Sequence, residues 1–400
     1  MAMLINQTAF QSSLGGSLAD INNAHTKAYI PVIIFVVCVI VVGFPSNVLA
    51  FIFFSKKATK SSFHCFISAL SLNDAFFNIV LVKGSIDLFQ YINNDNIIGC
   101  KIYYFVGHWM VGNSLLLMVA LSVDRLRRVV YPFARQVTIQ MARNIIVGVS
   151  FFSLSISVHY FYTRSIEHIT FPTGNNRTVV GYVCARSKEY PQVNVQKIFL
   201  YINICFHMLS GGFLIISYVI IVKKLISIRN KVKSKIDLTA LRKIRQDCPS
   251  GMATVECQNN ETLTDYVSNE AKKQGRGNAS FNLEQPIEIK PSDQNTVVRR
   301  LRGSSCLSKT ERAFSVSGFV ISVAFIICIV TYYVNVSISE TNFDGKSLVI
   351  SVVRMFLAHF FMLYSIVNPL ILFCLNSAFR KFVANILCCL CKKSRNCSIY

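Results

Sequence analysis

Seven apolar stretches, each close to the length that crosses a bilayer, constrain this chain more than any other feature. They run over residues 29–54, 63–88, 97–127, 142–162, 195–225, 313–336 and 348–373. A spanning helix needs about 20 mostly apolar residues, and only helices or closed barrels satisfy their backbone groups in lipid. The chain is 52% hydrophobic and 15% charged, with a mean hydropathy of +0.46. The expected fold is an all-α membrane protein: a seven-transmembrane helix bundle with an extracellular β-hairpin loop and a short amphipathic helix after the last span.

Charge sets the expected orientation. Most of the 41 Lys and Arg residues fall beside the spans on the side opposite the N-terminus, the arrangement that places that side in the cytoplasm. The chain then divides into an extracellular N-terminus (1–28), spans one to five with their loops (29–228), a disordered cytoplasmic loop (229–308), spans six and seven (309–375), and an amphipathic helix with a tail (376–400). The long loop is rich in Lys, Asn, Gln, Ser and Glu and has few aromatics, so it buries too little to fold alone. Its two ends are expected to extend the flanking helices. The net charge of +22 reads as contact with inner-leaflet lipid and cytoplasmic partners. Nucleic acid is excluded, because the basic residues flank spans instead of forming one soluble face. The polar first 28 residues show no cleavable signal peptide.

Local patterns refine this picture. Thr170–Val183 holds two β-prone runs around Gly174-Asn175-Asn176, a hairpin signal that would form a lid over an outward-facing pocket. The sequons at Asn6 and Asn176 lie on the expected outside and should carry glycan, whereas those at Asn260 and Asn278 should not. Of the 14 cysteines, Cys100 and Cys184 are the two in expected outer segments, where disulfides persist. Phe379, Phe382, Ile386 and Leu387 can share one helical face after the last span, with Arg380 and Lys381 at headgroup level. Cys388, Cys389 and Cys391 follow and suit palmitoylation.

Taken together, several motifs resemble the rhodopsin-like (class A) G-protein-coupled receptor family. These are Asn47 in the first span, Leu70-Ser71-Leu72-Asn73-Asp74 in the second, Cys100 opening the third, Asp124-Arg125 closing it, Pro132 beyond, Phe325-Ile326-Ile327-Cys328 in the sixth, and Asn368-Pro369 with Phe379 at the end. The chain is a divergent member by this pattern. Ile329 and Thr331 stand where the sixth span usually has Trp and Pro, Leu126 and Leu372 replace tyrosines, Ser210-Gly211-Gly212 replaces a proline, and Phe152 stands in for the fourth-span Trp.

The resemblance implies a receptor, not an enzyme, at the plasma membrane. It implies a heterotrimeric G protein, arrestin and kinases as partners, with activation by outward movement of the sixth helix. It implies a Cys100–Cys184 disulfide and a coupling switch of Asp124, Arg125, Glu311, Tyr218, Asn368 and Pro369, in which Glu311 locks Arg125. It also implies a polar network of Asn47, Asp74, Ser114, Ser365 and Asn368. That network holds either a sodium ion or only water; both readings stay open, and no other metal or cofactor is expected.

The ligand is approached by elimination. Gly107 stands where amine receptors carry an aspartate, and Met362 where opsins carry the retinal lysine. Lys83, Tyr104, His108, Asn203, Tyr332, Tyr333 and Arg354 remain at the outer mouth, with Lys83 either a pocket cation or a snorkelling side chain paired with Asp87 at i+4. Two cations over aromatic rings suit an acidic group, and the hairpin favours a neuropeptide-like ligand. The alternatives are a receptor-fold binding protein or decoy that does not couple, and a small-molecule chemosensory receptor. A transporter is disfavoured by the lack of internal repeats and broken helices.

Overall fold

The computed structural model describes residues 17–57, 61–173, 177–189, 192–247, 309–340 and 348–396. In chain order the elements are α1 (Leu18–Ser55), α2 (Ser62–Phe89), α3 (Ile97–Val130), α4 (Ile139–Ser157), α5 (His159–Thr163), β1 (Arg164–Thr173), β2 (Arg177–Arg186), α6 (Gln192–Asp247), α7 (Lys309–Glu340), α8 (Leu348–Phe360), a 3-10 turn (Phe361–Leu363), α9 (Tyr364–Leu375) and α10 (Ser377–Asn396). Seven segments among the described residues are helical, long enough and apolar enough to cross a membrane; α4 with α5, and α8 with α9, each form one. Outward-facing Ile34, Val41, Phe76, Phe151, Leu209 and Ile216 are well exposed, as expected where lipid replaces water as the solvent.

The chain divides into two compact units. The first joins residues Met1–Lys224 to Lys309–Tyr400; the second is Leu225–Ser308, whose described part is the end of α6. The loop boundary expected at residue 228 thus falls inside a helix that runs to Asp247. The sequons at Asn6, Asn176, Asn260 and Asn278 lie outside the described residues.

In the first unit α1 packs on α2, α2 on α3, and α3 on α4, while α7 packs on α8 and α9, which close the bundle back onto α1. Helix α1 starts eleven residues before the expected span. Ser17 caps it by accepting from the Asp20 N–H at 3.2 Å. The additional turns are polar in composition but have work to do: Asn22 and Thr26 donate to the Phe89 carbonyl at 2.9 and 3.0 Å. Ile21 joins Ile92, Phe171 and Val183 in an apolar cluster that pins the hairpin to the bundle.

The hairpin itself pairs Arg164 with Arg186 at its base and Thr173 with Arg177 at its tip. Two further tethers fix it. Tyr182 exchanges backbone bonds with Ile92 and Asn94, at 2.8 and 3.0 Å. Cys184 is bonded to Cys100 at the start of α3, with the two Cα atoms 5.6 Å apart.

Helix α10 begins where the Asn376 side chain caps the N–H groups of Ala378 and Phe379, each at 3.1 Å. Phe379 does not lie free at a lipid interface: it is buried against Phe53 and Phe54 of α1 at ring separations of 5.3 and 5.9 Å. Arg380 donates to the last carbonyls of α9, Phe373 and Cys374, complementing that helix end. Cys388 and Cys389 are exposed; the side chain of Cys391 lies outside the described residues.

Candidate functional site

Three polar clusters interrupt the apolar bundle. The deepest centres on Asp74, fully buried on α2. Its carboxylate accepts from Ser114 Oγ at 2.7 Å and from Asn368 Nδ2 at 2.5 Å, so three helices meet on one acid. Isolated ionisable groups at such depth are costly and usually functional. The cluster extends further than the sequence suggested. Asn73 donates to Ser114 and to the Met110 carbonyl, Asn113 donates to Asn73, and Ser150 of α4 donates to Asn113 at 3.2 Å. Asn47 and Ser365 are joined to each other instead of to the carboxylate: Asn47 Nδ2 donates to the Ser365 carbonyl at 2.7 Å, and the Ser365 hydroxyl turns to Met362.

For a sodium ion, two of the expected oxygens converge, on Asp74 and Ser114, whereas Asn368 presents an N–H. An ion there would have to displace that amide. Tyr364 lies buried between Phe77 and Phe325, with ring separations of 5.2 Å to each, and so links α9 to both α2 and α7 around the acid.

Two other departures from the family pattern acquire partners. Phe152 is 53% exposed and fills no tryptophan role. The chain's single tryptophan, Trp109, bridges α3 to α4 instead by donating from Nε1 to the Ser150 carbonyl at 3.1 Å. Alongside, Gly112 lets Ser153 approach so closely that a Cβ on it would meet that hydroxyl at 2.7 Å, a small-residue contact of the kind that joins helices in lipid.

The second cluster closes α3 at the end opposite the hairpin. Asp124 and Arg125 are only 1% and 3% exposed. Arg125 donates from Nε and Nη2 to Asp124 at 3.1 and 2.7 Å, and its guanidinium lies 4.4 Å from the Phe63 ring centre. Ser62 donates to the other Asp124 oxygen at 2.6 Å, and Arg128 reaches both Asp124 and Ser62. One carboxylate therefore holds two arginines and a hydroxyl. The Glu311 side chain, the expected lock, lies outside the described residues.

Nearby, Phe133 follows Pro132 in the loop after α3 and is fully exposed, a large apolar side chain that sequence reading passed over. Tyr218 is buried against α7, where Gly318 leaves room for its hydroxyl and Phe319 meets its ring at 6.0 Å. Gly318→Ala should therefore lower thermal stability by about 1–3 kcal/mol through overpacking. Tyr218→Phe in the same chain should recover much of that loss, as read by thermal unfolding of the purified protein. Equal losses with and without Tyr218→Phe would disprove the contact.

The third cluster lies beneath the hairpin. His108 stacks on Tyr160 with ring centres 3.9 Å apart, and Tyr332 stands 6.5 Å from His108 and 5.1 Å from Phe361. Tyr333 bonds to His207 at 3.0 Å, and Asn203 is buried with its carbonyl on His207. Lys83 is not a free pocket cation: it is paired with Asp87, which also accepts from Asn94 at 3.0 Å. Arg354 is half-buried and makes no hydrogen bond or ion pair among the described residues. The cation that does sit on the aromatic box is Arg164, at the first position of β1. Its guanidinium is 3.7 Å from the Tyr104 ring centre and 5.5 Å from that of Tyr160.

Among the described residues no group of three or more His, Cys, Asp or Glu side chains could hold a metal ion. The family model described as "7 transmembrane receptor (rhodopsin family)" matches residues 46–372. No curated protein matches the chain.

Proposed function

The chain belongs to the rhodopsin family of seven-transmembrane receptors, and from that premise we propose that it binds an extracellular, neuropeptide-like ligand beneath the hairpin and activates a heterotrimeric G protein at the Arg125 end. The protein is a multi-pass membrane receptor and not an enzyme. In the proposed setting, the plasma membrane with the N-terminus outside, the hairpin faces the ligand and Phe133 the cytosol.

The observation that carries this reading is the state of Arg125. A guanidinium held by a buried carboxylate, capped by Ser62 and backed by Phe63, is a charge stored out of reach. A ligand that favours an open bundle shifts the population toward a state in which that charge meets a partner. Glu311 belongs to the same lock as a proposal, and Tyr218 and Pro369 would support its opening. Arrestin and kinases would follow on the same face. A sodium ion at Asp74 would compete with Asn368 for the carboxylate and so bias the closed state.

The test is guanine-nucleotide exchange by the full-length chain in reconstituted vesicles with a panel of G proteins. We expect basal exchange above that of empty vesicles, a further rise with Glu311→Ala, and loss with Phe133→Asp at unchanged protein content. The second reading, a binding protein that does not couple, draws on Ile329 and Leu372, both buried apolar side chains where the family carries polar-tipped aromatics. Exchange that never exceeds empty vesicles, even with Glu311→Ala, would establish it in place of the first.

A further inference from the structure

Arg164 is 7% exposed, yet it makes no hydrogen bond or ion pair among the described residues, and its Nε is buried without a partner. Buried charges are ordinarily paired, because stripping water from an ion is costly. The two tyrosine faces offset only part of that cost. Nor does the hairpin supply an acid: Glu167 lies on the same strand, but its Oε1 accepts from the Lys188 N–H at 3.1 Å.

A second observation points the same way. The residue directly opposite Arg164 in the register is Arg186. The register therefore sets a second guanidinium-bearing residue beside the base of the hairpin, on the strand that carries Cys184. The walls of the aromatic box, His108, Tyr104, Tyr160 and Tyr332, are half-buried, and the Arg164 guanidinium sits at its edge, 3.7 Å from the Tyr104 ring centre and 5.5 Å from that of Tyr160.

We infer that Arg164, at the base of the hairpin, is the recognition point for a carboxylate of the ligand, with Tyr104 and Tyr160 holding the guanidinium fork in place. A planar carboxylate accepts two parallel N–H bonds from that fork, and it neutralises a charge that the protein leaves unmatched. The inference rests on the receptor reading for the identity of the pocket, but the site is tested by binding alone. The carboxylate comes either from a peptide C-terminus or from a small free acid.

The experiment uses the full-length protein in lipid nanodiscs and reads thermal stability together with the fluorescence of Trp109, the chain's one tryptophan and the neighbour of His108. The probes are two matched pairs: N-acetyl-tyrosine with N-acetyl-tyrosine amide, and the peptide Ala-Ala-Ala-Tyr with its C-terminal amide. We expect at least one free acid to raise the melting temperature and shift Trp109 emission at millimolar concentration, with its amide at least about tenfold weaker. Action by only the first acid assigns a small carboxylate, and action by only the second a peptide terminus. Arg164→Gln should abolish the difference between acid and amide, and Arg164→Lys should keep part of it. Arg186→Gln should weaken the acid without abolishing its advantage.

Equal effects of acid and amide, no effect of either acid, or an acid preference that survives in Arg164→Gln would overturn the inference. Should Arg164→Gln fail to fold, Arg164→Lys decides: an undiminished preference with the shorter, non-forked cation overturns the bidentate contact. Acid-selective binding without nucleotide exchange would leave this site standing and remove the receptor reading; exchange without acid selectivity would do the reverse.

Discussion

Asp124→Ala should be the most damaging single change in the bundle, lowering stability by about 3–5 kcal/mol, the usual cost of removing one partner from a buried ion pair. The carboxylate is 1% exposed and accepts from Ser62, Arg125 and Arg128, so its loss strands a guanidinium that is itself 3% exposed. Arg125→Ala should cost less, because Asp124 keeps Ser62 and Arg128. That ordering is the specific content of the prediction. Thermal unfolding of purified protein gives the ranking. Nucleotide exchange gives the functional side, with Asp124→Asn raising basal activity as Arg125 is released. High salt should change neither result much, because the pair is shielded from solvent ions. An Arg125→Ala protein less stable than Asp124→Ala would show that the carboxylate does not organise this end.

The bundle could be read from the sequence because hydrocarbon imposes it: seven runs of adequate length leave few other folds. Asp74, Ser114 and Asn368 were equally legible, since polar groups in apolar helices stand out and the family pattern puts them in register. The hairpin was legible from its β-prone runs and Gly-Asn-Asn turn, though not its length, because the strands extend to Arg164 and Arg186 through residues that read as ordinary loop. What escaped were residues whose meaning depends on tertiary neighbours. Arg164 follows directly on a helix and reads as a solvated flank, and only the fold-back of the hairpin buries it. Lys83 admits two readings in the sequence, a pocket cation or the i,i+4 partner of Asp87, and the fold decides for the second. The early start of α1 was hidden because Asp20, Asn22, His25 and Thr26 give residues 18–28 a polar composition. Its contact with the hairpin is made by Leu18 and Ile21, set against strands that no local pattern could place there. Trp109 taking over the α3–α4 bridge left no signal beyond the absence of a tryptophan in α4.

Asp74 and Asn368 should prove energetically coupled, and a reciprocal exchange is the sharpest way to show it. Asp74 contributes acceptors only, one to Ser114 at 2.7 Å and one to Asn368 at 2.5 Å. Asp74→Asn keeps the shape but turns an amide N–H₂ toward a group that also donates, and a buried donor left unmatched costs about 1–3 kcal/mol. Asn368→Asp alone places two carboxyl groups against one another and removes the donor between them, so it should be the worse of the two singles. In the double variant the polarity is reversed and complete: the new amide at position 74 donates to the new carboxylate at 368, and its carbonyl still accepts from Ser114. The double variant should therefore be more stable than Asn368→Asp and should regain much of the exchange activity lost by either single, with a coupling energy of at least about 1 kcal/mol in the cycle. Tyr364, packed on Phe77 and Phe325, gives the pair its reach: a shift of Asn368 moves the helix that carries this ring, and through Phe325 the motion is passed to α7. Additive losses in the double variant would mean that Asp74 and Asn368 are neighbours without being partners, and the mechanical link from α2 through α9 to α7 would go with them.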